Sequence, residues 1–483
     1  MGYLLPALAY LILLGSFVAA FHFDAKEHAP YPVDPLRHLH PAGQQLNLRA
    51  PKSKGVFLNN SVDLGYYVDI TLGGKPFTVL IDTGSSDLWI SGRVENSTDT
   101  GTRSGVTYAV GGVEGPVKTA LLQFGGFTIP NQAFMEIPSD DKSKEGTGII
   151  GLGPNSGSFI YRQLESITGA PVLDRIFHQN TTTPNYFTIL LGRDQDPTDF
   201  FSGSITVGEI LDQYSDILRE PKVQMTDVPS YQSGDQHLQI LLDKDGIIAP
   251  DGSRISIQTS VKHAATEQAT VVLDCGFSLP QVPRAVSDAI YGRFEGAEYV
   301  TIDKVGGTWI VPCDQEVNVT FLFSGKEYRI HPLDMTMEPH LIGLESIKNS
   351  KGERSCIGTF QPFSYSRDII NYDMILGMSF MRNVYTLFDY GDFVLGFNTT
   401  KDPYIQLLSI TNATEAHSDF VTVRLGGLDT TGSKGLIEPK KTNSASSNPR
   451  TVYYIIAGVV AFMIILVAIY FIVRARRRSA RRR

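Results

Sequence analysis

Two aspartates, Asp82 and Asp274, each close an apolar run and each stand two positions before a glycine: V-L-I-D-T-G-S-S at 79–86 and V-V-L-D-C-G-F-S at 271–278. A strand that ends on a carboxylate points that group outward, and Gly84 and Gly276 permit a sharp turn behind it. Two carboxyls close enough to share one proton present one base and one acid, because like charges at that distance cannot both ionise. Such a pair takes a proton from water while polarising an amide carbonyl. That is the chemistry of peptide-bond hydrolysis without a metal or a nucleophilic side chain. Either segment alone is an ordinary strand-to-turn aspartate. The two copies have downstream partners, G-I-I-G-L-G at 148–153 and M-I-L-G-M-S-F at 374–380, so the pattern is an internal repeat.

Strands must position the pair. The 483 residues are 42% hydrophobic and 19% charged, with 45 Gly, 26 Pro, 21 Tyr and 26 Phe, a balance that favours many short strands and tight turns. Apolar runs separated by Gly, Pro and Asn continue from Gly65 to about Phe397, so an all-β body is expected. The length fits two lobes with accessory segments. The N-terminal β lobe is placed at 59–215 and the C-terminal β lobe at 216–410. Periodicity fades over 401–451, and 411–451 reads as a stalk. Residues 21–58, with His22, His28, His38, His40, Lys52 and Lys54, read either as a flexible arm or as a propeptide whose basic residues pair with the carboxylates.

Both ends carry targeting signals. Residues 1–20 read as a signal peptide whose apolar run ends in small residues, with Val18 and Ala20 suited to the cleavage site. Residues 452–473 contain no charge and span about 33 Å as a helix, enough for a hydrocarbon core. Tyr453, Tyr454 and Tyr470 sit near its ends, and seven arginines follow within 474–483, which places that basic tail in the cytosol. The expected topology is single-pass type I in the secretory pathway, at the cell surface or an endosomal or vacuolar membrane. Six sequons, at Asn59, Asn96, Asn180, Asn318, Asn398 and Asn412, fall between the two apolar ends, as glycosylation on the lumenal side requires. Removing the tail's seven positive charges from the net −8 leaves −15, and an acidic body argues against nucleic acid as a partner.

The string I-D-T-G-S-S-D-L-W-I (81–90) resembles the first active-site motif of the pepsin-like aspartic proteases, and the likeness runs over roughly 65–400. V-T-Y-A-V-G-G-V-E-G (106–115) is similar to that family's flap hairpin. I-L-G-M-S-F-M-R-N-V-Y-T-L-F-D-Y-G (375–391) is similar to its C-terminal signature, with Met378 where the family usually has Asp. The resemblance implies a bilobal fold with Asp82 and Asp274 as the catalytic pair, and a monomer that cuts extended peptide or protein substrates without a cofactor or metal. It further implies Tyr108 as the flap tyrosine supported by Trp89, Thr83 as part of a lock between the two active-site loops, and Ser85 as a hydrogen-bond donor to Asp82. Cys313 and Cys356 stand where the family has its C-lobe disulfide, which leaves Cys275 unpaired. Three cysteines without tight spacing give no zinc ligand set.

The departure lies at 274–278, where Cys275 and Phe277 replace the family's hydroxyl residues. A thiol is a weak donor, so the lock is expected to be looser, and Phe277 has no group with which to bond Asp274. The leading reading is a membrane-tethered endopeptidase active at acid pH. The alternative is a catalytically weakened pseudoprotease that binds peptides or proteins. An adhesive surface protein accounts for the anchor and sequons but not for the repeated Asp-x-Gly.

Overall fold

The computed structural model describes residues 55–438, apart from 109–111, 141–142, 180–182, 195, 199–200, 263, 265, 303–304, 364–370, 395–400 and 434. The apolar segments at 1–20 and 452–473, almost all of 21–58, and the sequons Asn180 and Asn398 lie outside the described residues. Among those described, no helix is long and apolar enough to cross a membrane.

Each half builds the same strand arrangement around its aspartate. Lys75–Asp82 runs antiparallel to Gly65–Leu72, joined through Gly73 and Gly74, both at positive φ as a tight hairpin requires. On its other side it runs parallel to Thr147–Gly151, with Asp82 opposite Gly151. In the second half Thr270–Leu273 runs parallel to Met374–Leu376, with Leu273 opposite Leu376, and antiparallel to Gln239–Leu241. The sequence runs are continuously apolar here, as suits strands covered on both faces. Val79, Ile81, Ile150, Val271, Leu273, Met374 and Leu376 are all fully buried.

A six-stranded sheet draws strands from both halves of the sequence. Tyr186–Leu191 pairs with Gly203–Val207 on one side and with Val384–Asp389 on the other, and Val384–Asp389 pairs with Tyr404–Ser409. Phe187 stacks on Phe388 across this junction at 4.8 Å. Val56–Phe57, at the end of the segment expected as an arm, forms an edge strand against Ile205 and Ser204. Cys313 and Cys356 are bonded, and Cys275 is free and buried.

Where a stalk is expected from 411, the structure has a helix, Ala413–Leu425, capped by Asn412 and ended by Gly426 at positive φ. The helix docks mainly through polar groups. Thr198 donates to Asp419 at 3.1 Å, Arg424 donates to Glu338 at 3.0 Å and to the Thr336 carbonyl at 2.8 Å, and Phe420 is fully buried. Farther on, Leu436 bridges Phe294, the Ile437 N–H donates to the Arg293 carbonyl at 2.8 Å, and Arg293 Nε donates back to the Ile437 carbonyl at 2.6 Å.

Candidate active site

Asp82 and Asp274 meet at the ends of their strands, and each is fixed first by its own backbone. The Leu152 N–H donates to the Asp82 carbonyl at 2.7 Å, and the Asp274 N–H to the Leu376 carbonyl at 3.1 Å. Within each loop the glycine amide donates to the carboxylate, Gly84 to Asp82 Oδ1 at 2.9 Å and Gly276 to Asp274 Oδ1 at 2.8 Å. The same glycines admit the opposite carboxylate. A Cβ on Gly84 would stand 2.1 Å from Asp274 Oδ2, and one on Gly276 would stand 2.2 Å from Asp82 Oδ1. Any side chain at either position would drive the carboxylates apart.

Asp82 is 6% and Asp274 8% exposed, so both are largely withdrawn from water. Burial pushes the Asp274 carboxyl well above the usual carboxylate range, and the neighbouring Asp82 charge pushes it further. The pair therefore keeps a proton between its two carboxyls to higher pH than a lone carboxyl would.

The residues after the aspartates cross between the halves. Thr83 Oγ1 donates to the Leu273 carbonyl at 2.9 Å and accepts the Cys275 N–H at 2.9 Å. In the mirror position Cys275 Sγ donates to the Ile81 carbonyl at 3.5 Å. The thiol thus keeps the crossing on both sides, although its bond is longer and weaker than a hydroxyl's. Burial first, then the charges of Asp274 and Asp82, push the Cys275 thiol far up, so it stays protonated and remains a donor.

The asymmetry lies one step farther along each loop. Ser85 Oγ donates to Asp82 Oδ2, whereas Phe277 offers Asp274 no side-chain donor. Phe277 is half-buried, and its carbonyl receives the Met378 N–H at 2.8 Å. Met378, at the position where the resemblance leads one to expect Asp, is fully buried.

The hairpin expected as a flap is formed by Thr98–Thr107 and Gly112–Phe124, with Val106 opposite Val113; its tip at 109–111 lies outside the described residues. Trp89 Nε1 donates to the Tyr108 hydroxyl at 2.6 Å. Burial, followed by the nearby Asp82 charge, raises the Tyr108 hydroxyl far above its ordinary value and keeps it neutral. Trp89 and Tyr108 pack with Val106, Val117, Met135 and Ile160.

A model described as eukaryotic aspartyl protease matches residues 65–400. The chain belongs to that family. The protease is 26% identical over 374 residues to the major aspartyl peptidase 1 of Cryptococcus neoformans, covering 70% of this chain and 68% of that protein. It is 25% identical over 388 residues to a probable vacuolar protease A of Trichophyton verrucosum, covering 74% and 84%. It is 26% identical over 373 residues to a probable aspartic-type endopeptidase CTSD of Arthroderma benhamiae, covering 71% and 62%. The docked helix at 413–425 falls beyond the matched span.

Two groups near the protease's site escaped sequence reasoning. Asp87, within the quoted first motif, is buried and accepts from Ser158 Oγ, the Phe159 N–H and the Ile160 N–H, which ties the loop after Ser85 to the helix Phe159–Leu164. His237 reaches Gly84 from the second half, and no local pattern announces it. One cluster has the composition of a metal site: ligand atoms of Asp196, His331 and Asp419 lie within 4.8 Å of one another. Arg193 and Thr198 already donate to Asp196, Thr198 also donates to Asp419, and His331 Nδ1 accepts the Leu333 N–H. Its atoms are thus engaged as a structural polar network. Burial, with Arg193 nearby, holds the His331 imidazole down to about 3 and therefore neutral.

Of the sequons, Asn59, Asn318 and Asn412 are exposed. Asn96 is exposed as well, and its side-chain amide donates to the Gly73 carbonyl at 2.8 Å.

Proposed function

We propose that the chain is an acid-active endopeptidase whose catalytic pair is Asp82 and Asp274. The observation that carries this reading is the reciprocal seating of each carboxylate against the other loop's glycine. Asp82 removes a proton from a water held at the pair while Asp274 donates its proton to the scissile carbonyl oxygen. Water oxygen bonds to the carbonyl carbon. The adduct then collapses: the C–N bond breaks, the departing amine takes the proton that Asp82 removed from water, and a hydroxyl of the adduct returns a proton to Asp274. Gly84, Gly276, Ser85 and Thr83 hold the two loops, and Tyr108 on Trp89 covers the substrate. Extended peptides or proteins are the substrates.

Tethering through 452–473 in the secretory pathway, with Asn59, Asn96, Asn180, Asn318, Asn398 and Asn412 glycosylated, completes the proposal. Its support is the uncharged segment before the arginine cluster and the vacuolar protease names among the relatives. The test is cleavage of a peptide library by the full chain at pH 3–6, with and without a statine-type transition-state mimic. Substrate capture without cleavage at any pH would favour the pseudoprotease instead.

The missing donor at Phe277 has a measurable effect in this reading. A hydrogen bond between neutral groups, as on a protonated Asp274 carboxyl, contributes about 0.5–1.5 kcal/mol, the upper end of which is one decade of rate. Phe277→Thr is accordingly expected to raise kcat/KM at acid pH about tenfold. Cys275→Thr alone is expected to add little, because the thiol already spans the crossing. An unchanged kcat/KM in a Phe277→Thr variant of wild-type melting temperature would show that Asp274 needs no second donor.

A further inference from the structure

We propose that His237 is a positioning residue of this site, which holds the Gly84 peptide through Nδ1–H and, as imidazolium, keeps the Asp82–Asp274 pair working farther into acid. The inference rests on the peptidase reading above. His237 Nδ1 lies 3.2 Å from the Gly84 carbonyl oxygen, 153 positions away in sequence. A carbonyl only accepts, so Nδ1 carries the proton, and Nε2 is the nitrogen that titrates. Protonation therefore adds a charge without breaking the hydrogen bond. Gly84 is the residue whose amide donates to Asp82 and whose Cα faces Asp274, so His237 stands one peptide from both carboxylates.

The residue is held in place from several sides. The next residue, Leu238, accepts the N–H of Leu273, whose strand ends at Asp274. Gln236 Nε2 donates to the His237 carbonyl at 2.9 Å and to the Thr226 carbonyl at 2.9 Å, while Gln236 Oε1 accepts the Val228 N–H. The Tyr372 ring meets the imidazole edge-on at 5.5 Å.

The charged groups around the imidazole are Asp235, on the turn just before it, and Asp82, across the pair. Arg162 on the helix Phe159–Leu164 packs against nearby Gly234. Burial lowers the imidazole below its ordinary value and outweighs the two carboxylates, which raise it. His237 is thus neutral near pH 7 and gains its charge in the acid range. A positive charge that appears there opposes full protonation of the pair. The Asp82 carboxylate favours the charged imidazole, and by linkage that attraction is mutual.

The experiment compares pH profiles of kcat/KM for the full chain and two variants. In His237→Asn the amide replaces Nδ1–H but does not titrate; in His237→Phe both functions are lost. The acid limb is expected to move up by about half a pH unit in both variants. His237→Phe is expected to lose about fivefold in kcat at the optimum, and His237→Asn to restore most of that loss. Superimposable acid limbs in all three proteins would overturn the proposal, as would a fall in turnover and melting temperature without an acid-limb shift. A second readout does not depend on turnover. The titration midpoint of the His237 imidazole, followed by nitrogen-15 resonances, is expected to fall by about half a unit in Asp82→Asn. An unchanged midpoint overturns the inference even if peptides are cleaved. A shifted midpoint in a chain that cleaves nothing sustains the coupling and sinks the peptidase reading instead.

Discussion

Asp82→Asn is expected to lower kcat/KM by at least about a thousandfold while leaving the melting temperature unchanged or higher. Loss of a positioned base costs about two to four decades of rate. The Asn oxygen can still accept the Gly84 N–H, and its NH2 can donate to Ser85 Oγ in place of accepting from it, so the loop geometry survives. Replacing Asp82 by a neutral amide removes a buried charge and its desolvation cost, which explains why stability need not suffer. Because the Asp274 carboxyl is held well above the usual range by burial and by Asp82, wild-type activity should persist above the ordinary carboxylate range and fall as rising pH deprotonates Asp274. Activity that survives Asp82→Asn in a purified, correctly folded chain would remove the pair from the mechanism.

The largest stability effect is expected at Asp334. This carboxylate is buried, with Arg382 Nε on Oδ1 at 2.6 Å, Arg193 Nη2 on Oδ2 at 2.5 Å and Asn383 Nδ2 on Oδ2 at 2.9 Å. Arg382 also donates to the Asp63 carbonyl at 3.0 Å, which joins the N-terminal strands to the same network. Asp334→Ala would leave two buried guanidiniums without their common partner, at a cost of about 3–5 kcal/mol in urea unfolding.

The pH dependence follows from the sign of the shift. Burial alone would raise the Asp334 carboxyl, but Arg193 and Arg382 overcome it and hold the group far below its ordinary value. Its contribution is then complete above the unfolded value of about 3.9 and is lost only as pH falls from there toward the folded one. The stability gap between wild type and Asp334→Asn should stay constant from neutral pH down to about 4 and narrow below. A gap already closing between pH 7 and 5 would show that the network is not what Asp334 supplies.

The pair was legible because its determinants are local. Val79–Ile81 and Val271–Leu273 are apolar without alternation, so each reads as a covered strand with a carboxylate at its end, and the downstream repeats supply the parallel partners. Residues that act across the fold left no such trace. Arg193 and Asp334 are 141 positions apart and His237 and Gly84 are 153 apart, and a single polar contact at that separation has no period to detect. The helix Ala413–Leu425 was missed for a different reason. It docks through Asp419 and Arg424 as much as through Phe420, so it lacks an apolar stripe. Its end signals were present all the same: Asn412 with Glu415 three positions on, Arg424 in the last turn, and Gly426. Asn412 is thus a helix cap as well as a sequon.

The clamp at Ile437 determines how a pull on the chain would be distributed. Tension applied beyond Glu438 first meets the antiparallel bridge between Leu436 and Phe294 and the paired bonds between Ile437 and Arg293. Phe294 follows the helix Arg284–Tyr291, whose Ser287 donates to the Phe360 carbonyl, so force spreads into the second half away from the sheet that both halves share. Should those few bonds part, the helix Ala413–Leu425 would remain as a second stop, held by Asp419 and Arg424. A protein tugged from this end would peel in stages before strain reached Tyr404–Ser409 and, through it, the strands behind the carboxylates.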